Sequence, residues 1–308
     1  MKPFDYQSAA LTEIVARARA FFAGQWRELH IQPRWHSILV APSGVGKTTL
    51  AKMAAAAEGV HAELRIVSVP GWIPTGSTGR TVAETIATLA EAVARNKRTF
   101  LVLDELDKAT SAPTAGSGTS TSSWQQHCLL EVLQLLDGRW PTGLKSPEDA
   151  NENEIPTDVL TEKLRTSVFI LCIGTFQDYF DSPASRRTIG FGAPLDAEPD
   201  EISGDDLLEK LPRELLNRIN LSLIRIPDLQ AEHYYRIAQQ AEDTLPERLR
   251  DAFRAEVNSR IGGAIHAKQG VRFLEGCIME VVKNLPPEMD DIAIPTTTSE
   301  PDPFDLCL

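Results

Sequence analysis

The run Ala41-Pro42-Ser43-Gly44-Val45-Gly46-Lys47-Thr48 constrains this chain more than any other feature. It joins a short apolar stretch, Ser37-Ile38-Leu39-Val40, to a helical pattern running from Thr48 to Glu58. A strand, a glycine-containing loop and a helix opening on Lys-Thr form a phosphate cradle, a P-loop. Pro42, Ser43, Gly44, Val45 and Gly46 wrap the anion, and Thr49 sits in the first helical turn. Backbone N–H groups and the helix N-terminus face the phosphates. Lys47 reaches the outer phosphates, and the Thr48 hydroxyl is placed to ligate Mg²⁺. The usual pattern begins with glycine, where this chain has Ala41. That matters only if the position needs a positive φ, in which Ala is strained.

A second signal lies downstream. Phe100-Leu101-Val102-Leu103 reads as a buried strand, and Asp104-Glu105 follows it directly. Both carboxylates then sit at the carboxyl end of a strand, the edge at which open α/β sheets bind ligands. Asp104 suits the hydration shell of Mg²⁺, and Glu105 suits orienting and polarising an attacking water. The two signals together point to nucleotide hydrolysis, with ATP and Mg²⁺ as the species bound.

The segments around these motifs alternate. Leu64 to Val69, Ser167 to Ile173 and Leu221 to Ile226 read as further strands, and Val82 to Arg95 as an amphipathic helix. Continuous apolar runs of this length predict strands buried on both faces, and alternation with helices predicts a doubly wound α/β domain with a five-stranded parallel sheet. Residues 1–33 carry helical spacing through Leu11, Ile14, Val15, Ala18, Phe21 and Phe22. The α/β domain is expected over 34–227 and a small all-helical domain over 228–286, its helices broken at Pro246 and at Gly262-Gly263. A Pro-rich acidic tail, expected to be mobile, covers 287–308. Two long polar connections, 109–123 and 138–158, interrupt the core.

With 308 residues, 42% apolar and 24% charged, the chain has the balance of a soluble globular protein. Its net charge of −12 argues against a surface that coats nucleic acid. Cys128, Cys172, Cys277 and Cys307 show no paired spacing, so buried free thiols in a reducing cytoplasm are expected rather than a metal site. No apolar run is long enough to span a membrane, and no signal-peptide core opens the chain.

Asp104-Glu105-Leu106-Asp107-Lys108, taken with the P-loop, resembles the AAA+ ATPases, and within them the Clp group. Ile189-Gly190-Phe191-Gly192-Ala193 matches a string that ClpX-type unfoldases carry between their fourth and fifth core strands. Leu129 to Gly138 resembles the helix after their acidic motif. The resemblance spans roughly residues 34 to 285 and implies an AAA+ fold with a helical lid. It also implies roles. Thr175 matches a polar sensor of the attacking water or γ-phosphate, and Arg272 a second sensor tying the lid to nucleotide. Arg218, in Pro212-Arg213-Glu214-Leu215-Leu216-Asn217-Arg218, matches an arginine finger supplied to a neighbour's γ-phosphate. A finger acting in trans implies a ring, hexameric in Clp relatives, acting on a protein substrate.

The chain also departs from those relatives. Where they carry an aromatic pore loop, this sequence reads Gly76-Ser77-Thr78-Gly79. Trp72 and Ile73 lie just upstream; Trp72 either supplies the bulky contact or folds onto the sheet as core. Ser77 and Thr78 suit a polar or phosphate-bearing polymer. The cysteine-rich zinc module of ClpX-type proteins is absent from residues 1–33. In the family, Ile189-Gly190-Phe191 is a plug for a ClpP-like peptidase; here it is either that anchor or a loop packed on its own ring. Three functions follow as expectations: a protein unfoldase or remodeller, an ATP-dependent oligomeric switch or scaffold, and a nucleic-acid translocase.

Overall fold

The computed structural model describes residues 3–31, 33–72, 82–110, 129–141, 155–175, 212–219 and 223–284. Five strands, β1 (Ser37–Val40), β2 (Glu63–Ser68), β3 (Thr99–Asp104), β4 (Val168–Gly174) and β5 (Leu223–Arg225), pair in parallel in the order β2-β3-β4-β1-β5. The five-stranded parallel sheet expected from the apolar runs is present.

Alternate residues of each inner strand enter different cores, as the period of two requires. Ile38, Val40, Leu101, Leu103, Val168, Ile170 and Cys172 face one layer. Leu39, Phe100, Val102, Phe169, Leu171 and Ile173 face the other. All seven residues of β4 are buried, so its sequence Val-Phe-Ile-Leu-Cys-Ile-Gly has no polar face. At the sheet edge β2 has no fully buried residue, and Glu63 and Arg65 pair with each other there.

The first layer holds α3 (Val82–Arg95), α6 (Thr157–Ser167), α7 (Arg213–Arg218) and a helix whose described part is 129–136, here α5. The second holds α1 (Ser8–Ala23) and α2 (Lys47–Ala56). Helix α1 buries Ala10, Ile14, Val15, Ala18, Phe21 and Phe22 in the same core as Leu39, Leu50 and Phe169. A short helix, α4 (Leu106–Thr110), follows β3 directly. Helix α2 stops at Ala56, two residues before the expected Glu58, because Ala57 is extended and Gly59 takes a positive φ.

Three helices form the C-terminal unit: α8 (Ala231–Thr244), α9 (Glu247–His266) and α10 (Arg272–Lys283). Tyr234, Ile237, Phe253, Val257, Ile261, Phe273 and Leu274 make its separate core. Pro246 ends one helix and caps the next, as expected. Gly262-Gly263 does not break a helix: α9 runs through it. Ile261 and Ala264 on either side are buried, and that face holds a backbone that two glycines weaken by roughly 0.5–1 kcal/mol each. The real break comes after His266, where Lys268 and Gly270 take φ of +49° and +64°. Among the described residues no helix is long and apolar enough to cross a membrane. Ile73, Ser77, Thr78, Ile189-Gly190-Phe191, Cys128, Cys307 and the 287–308 tail lie outside the described residues, as do most of the two long connections and the side chain of Trp72.

Candidate nucleotide site

The cradle is built at the carboxyl edge of the sheet. Strand β1 ends at Val40, and Ala41 continues it, its N–H reaching Gly174 O at 3.4 Å. Ala41 is fully buried and is not among the residues with positive φ, so the usual glycine is dispensable here. The two positions that do need glycine have it: Gly44 and Gly46 both have φ of +78°. A Cβ on Gly44 would lie 2.4 Å from Gln269 O, and one on Gly46 would lie 2.8 Å from Gln7 Nε2.

Gly46 is the N-cap of α2, and no side chain caps that helix. Its first N–H groups, at Lys47, Thr48 and Thr49, lack intrahelical partners and face the loop's concave side, the arrangement that binds anions. Lys47 Nζ donates to Ala41 O at 2.9 Å and Pro42 O at 2.8 Å. Burial pushes its pKa down to about 8, partly offset by Asp104 and Asp107, with Arg272 lowering it further. An ammonium so desolvated gains most when a phosphate replaces its carbonyl partners.

The acidic pair sits one strand away from β4. Asp104 Oδ1 accepts the N–H of Glu105 at 2.8 Å, and burial raises the Asp104 pKa. Glu105 has φ +58°, a left-handed conformation costing roughly 1–3 kcal/mol for a non-glycine residue. Its carboxylate is held at both oxygens: Oε2 accepts from Ser68 Oγ at 3.0 Å, and Oε1 accepts from Lys108 Nζ. The Lys108 hydrogen bond is the main cause that holds its pKa below the ordinary value. At the end of β4, Thr175 Oγ1 donates to Asp107 Oδ2 at 2.7 Å.

The C-terminal unit docks on this loop through backbone. Val271 N–H donates to Gly44 O at 2.7 Å; within the unit itself, Gly270 N–H donates to Tyr234 Oη at 3.0 Å, which fixes that segment on α8. A Cβ on Gly270 would lie 2.4 Å from Gly44 O, so glycine stands on both sides of the contact. Arg272 opens α10 immediately after it, close enough to act on Lys47. The N-terminal segment closes the third side. Tyr6 Oη and Gln7 Nε2 both donate to Val45 O, at 3.1 and 2.8 Å, while Tyr6 stacks edge-on against His233 of α8.

Lys47, Asp104, Glu105, Asp107, Thr175 and Arg272 thus gather around one loop, beside Pro42, Ser43, Thr48 and Thr49. Arg218 is elsewhere. Its Nε donates to Asp137 Oδ2 at 2.9 Å, and Asp137 Oδ1 accepts from Arg34 at 3.4 Å. Arg34 lies just before β1, so the pair occupies the amino edge of the sheet, across the strands from the loop.

Four participants escape a reading of the sequence. Ser68 is recognisable only through the register that sets it opposite Asp104. Gln7 and Tyr6 act across 38 and 39 residues, and no local pattern marks them. Gly270 carries a local signal, a glycine before a helical pattern, which Gly262-Gly263 obscures.

The donor set suits a nucleotide with its metal. A hydroxyl from Thr48 and a carboxylate from Asp104 are hard oxygen ligands of the kind Mg²⁺ takes while keeping several waters. Residues 37–190, half of the chain, match the family model described as ATPase family associated with various cellular activities (AAA). Arg218 and Arg272 lie beyond the matched span. No curated protein matches the chain. A P-loop between parallel strands, an acidic pair on the next strand but one, and a family match over half the length converge: the chain belongs to the AAA ATPase family and is an ATP-hydrolysing enzyme.

Proposed function

We propose that the protein is a ring motor of the Clp type, in which each ATP sits between two subunits and drives the remodelling of a protein substrate. The observation that carries the reading is the place of Arg218: a half-buried guanidinium at the amino edge of the sheet, unable to serve its own loop. A neighbour packed head-to-tail brings that edge to the next subunit's loop, which is how a heterologous contact closes a ring.

Within each pocket, Lys47 and the amides that open α2 bind the β- and γ-phosphates. Thr48 and Asp104 would hold Mg²⁺, which would supply neutralisation of charge on the phosphate oxygens. Glu105 orients the attacking water once it leaves Ser68 and Lys108, and Thr175 stands beside it as sensor. Arg218 from the adjacent subunit stabilises charge that develops on the transferred phosphoryl group. Loss of the γ-phosphate releases Arg272, and the helical unit rotates on the Gly44–Gly270 contact.

Glu105→Gln is expected to keep ATP binding and lower turnover by about 10²–10⁴-fold. Arg218→Ala should assemble and hydrolyse poorly, and Lys47→Ala should lose ATP binding. Rings mixed from the last two variants should recover activity, because one supplies fingers and the other supplies pockets. A mixture no more active than its parts would overturn the ring reading.

Protein remodelling is supported by the Clp-like strings, including Ile189-Gly190-Phe191, which suits docking on a ClpP-like peptidase. ATP-dependent loss of a folded substrate, with and without a peptidase barrel, tests it. A second reading, an ATP-gated scaffold, is favoured by Gly76-Ser77-Thr78-Gly79, which lacks an aromatic grip. Turnover without any unfolding would select it. DNA-stimulated turnover with salt-sensitive binding would instead select a translocase, which the charge of −12 disfavours. Cys172 and Cys277, both buried as free thiols, suit a reducing cytoplasm.

A further inference from the structure

The geometry points to a second binding site, for a small aromatic acid, at the amino edge of the sheet and independent of the ring reading. A cavity of about 350 Å³ lies there, across the strands from the nucleotide loop. Its wall is built where elements end or begin. Phe21 is in the last turn of α1 and Trp26 in the turn that follows it. Trp35 and His36 lead into β1, and Arg165 is in the last turn of α6. The rings form a continuous series. Trp35 lies 6.1 Å from Trp26 between centroids, Trp26 stacks on Phe21 at 5.7 Å, and Phe21 meets His36 at 6.1 Å. Such a wall suits a planar guest, stacked or edge-on. The volume is at the lower end of the small-molecule range, enough for one or two fused rings.

The polar groups decide the charge of the guest. Acceptors around the cavity are already taken. Asp137 accepts from Arg34 on one oxygen and from Arg218 on the other. Gly138 O accepts from Arg165 Nε at 3.0 Å, Phe21 O from Trp26 Nε1 at 3.0 Å, and Thr166 O from Arg27 at 2.6 Å. Donors are left over. His36 Nδ1 accepts the Ile170 N–H, so the neutral ring carries its proton on Nε2, which has no partner among the described residues. Arg165 spends only Nε among the described residues and keeps both Nη groups. Trp35 Nε1 is buried without a partner among the described residues, a state that buried donors rarely tolerate. A wall with spare donors takes an acceptor. Arg34 and Arg165 outnumber Asp137 there, so that acceptor is an anion, and a carboxylate matches the two-pronged end of Arg165. Gly138 gives this arginine its room: a Cβ on it would lie 2.7 Å from Arg165 Cγ.

Titration calorimetry on the full-length protein tests this, with benzoate, 1-naphthoate and indole-3-acetate as probes. At least one acid should bind with a dissociation constant below about 1 mM. A saturating non-hydrolysable ATP analogue with Mg²⁺ should not displace it, because the two sites lie at opposite edges of the sheet. The amide of the tightest acid, of the same shape without the charge, should bind about 10-fold more weakly. Arg165→Met should weaken the acid by about 10-fold and the amide by less than about twofold, since the two changes remove one interaction. Arg165→Lys keeps the charge without the fork and should fall between, which separates a lost contact from a folding defect. Trp35→Phe keeps a ring, drops the N–H and should weaken the acid about 3–10-fold. Failure of all the acids to bind at about 10 mM overturns the site. Displacement by the ATP analogue, or equal losses for acid and amide in Arg165→Met, overturns it as well.

Discussion

Two glycines meet across the nucleotide loop, and the contact leaves room for nothing larger. Gly44 combines φ of +78° with a Gln269 carbonyl 2.4 Å from where a Cβ would stand. Gly44→Ala therefore carries two costs: roughly 1–2 kcal/mol for the left-handed backbone, and displacement of the segment that holds Val271 on the loop. Thermal unfolding should show the loss, and ATP affinity should fall with it, because Arg272 moves with that segment. Ala41→Gly is the matching control. Ala41 sits at negative φ, so restoring the usual glycine should leave ATP affinity unchanged; a gain would mean that the loop is strained at its first residue. At this scale the sequence was largely legible. Lys47, Thr48, Asp104 and Glu105 announce themselves by residue type and by the strand that precedes them. Ser68 and Gln7 could not be read, since a hydroxyl and an amide acquire meaning only when strand register and a distant loop bring them to an acceptor.

Elements follow the same division between local and imposed order. Strands β3 and β4 were visible because burial on both faces leaves an unbroken apolar run. Helix α9 was misread at Gly262-Gly263 because local propensity argues for a break, while the buried stripe through Phe253, Val257 and Ile261 holds the helix intact. Apart from the backbone of α9 itself, neither glycine has an atom within 4 Å of the position a Cβ would take. Gly262→Ala and Gly263→Ala should each stabilise the protein by about 0.5–1 kcal/mol, measured by denaturant unfolding. A loss at either site would show that the helix needs its glycine. The entrance to β1 holds a titrating group. His36 Nδ1 accepts the Ile170 N–H at 3.2 Å, and burial, aided by Arg34, lowers its pKa to about 4. The folded state thus binds fewer protons than the unfolded chain between about pH 4 and 6.5, so stability is full above that window and is lost as pH falls through it. The loss should reach about 3 kcal/mol. Unfolding measured at pH 7 and at pH 4.5 should show a smaller difference in His36→Asn than in the parent; equal differences would assign the acid sensitivity to other groups.

For the molecule as a whole, the loop is the place where three parts of the chain are tied together. Tyr6 and Gln7 bind Val45 O from the N-terminal segment, and Val271 binds Gly44 O from the helical unit. Phe4 and Tyr6 also pack against the core of that unit, and Gln240 of α8 donates to Asp5 at 3.2 Å. Among the described residues the two cores share few hydrogen bonds, an arrangement that suits rotation of one against the other. Both ends of the hinge rest on the P-loop. Occupation of the loop should therefore be felt at the hinge. In hydrogen exchange, a non-hydrolysable ATP analogue should slow the amides of the loop and of the Gly270–Leu274 turn together, since both report one opening event. Arg272→Ala should uncouple them: the loop would still gain protection from Lys47 and the α2 amides, and the turn would not. ADP should protect the loop and give the turn less, because the group Arg272 reaches is gone. If nucleotide protects the loop of the parent protein and leaves the turn unchanged, the helical unit does not sense the phosphates, and a motor stroke that begins at Arg272 is ruled out.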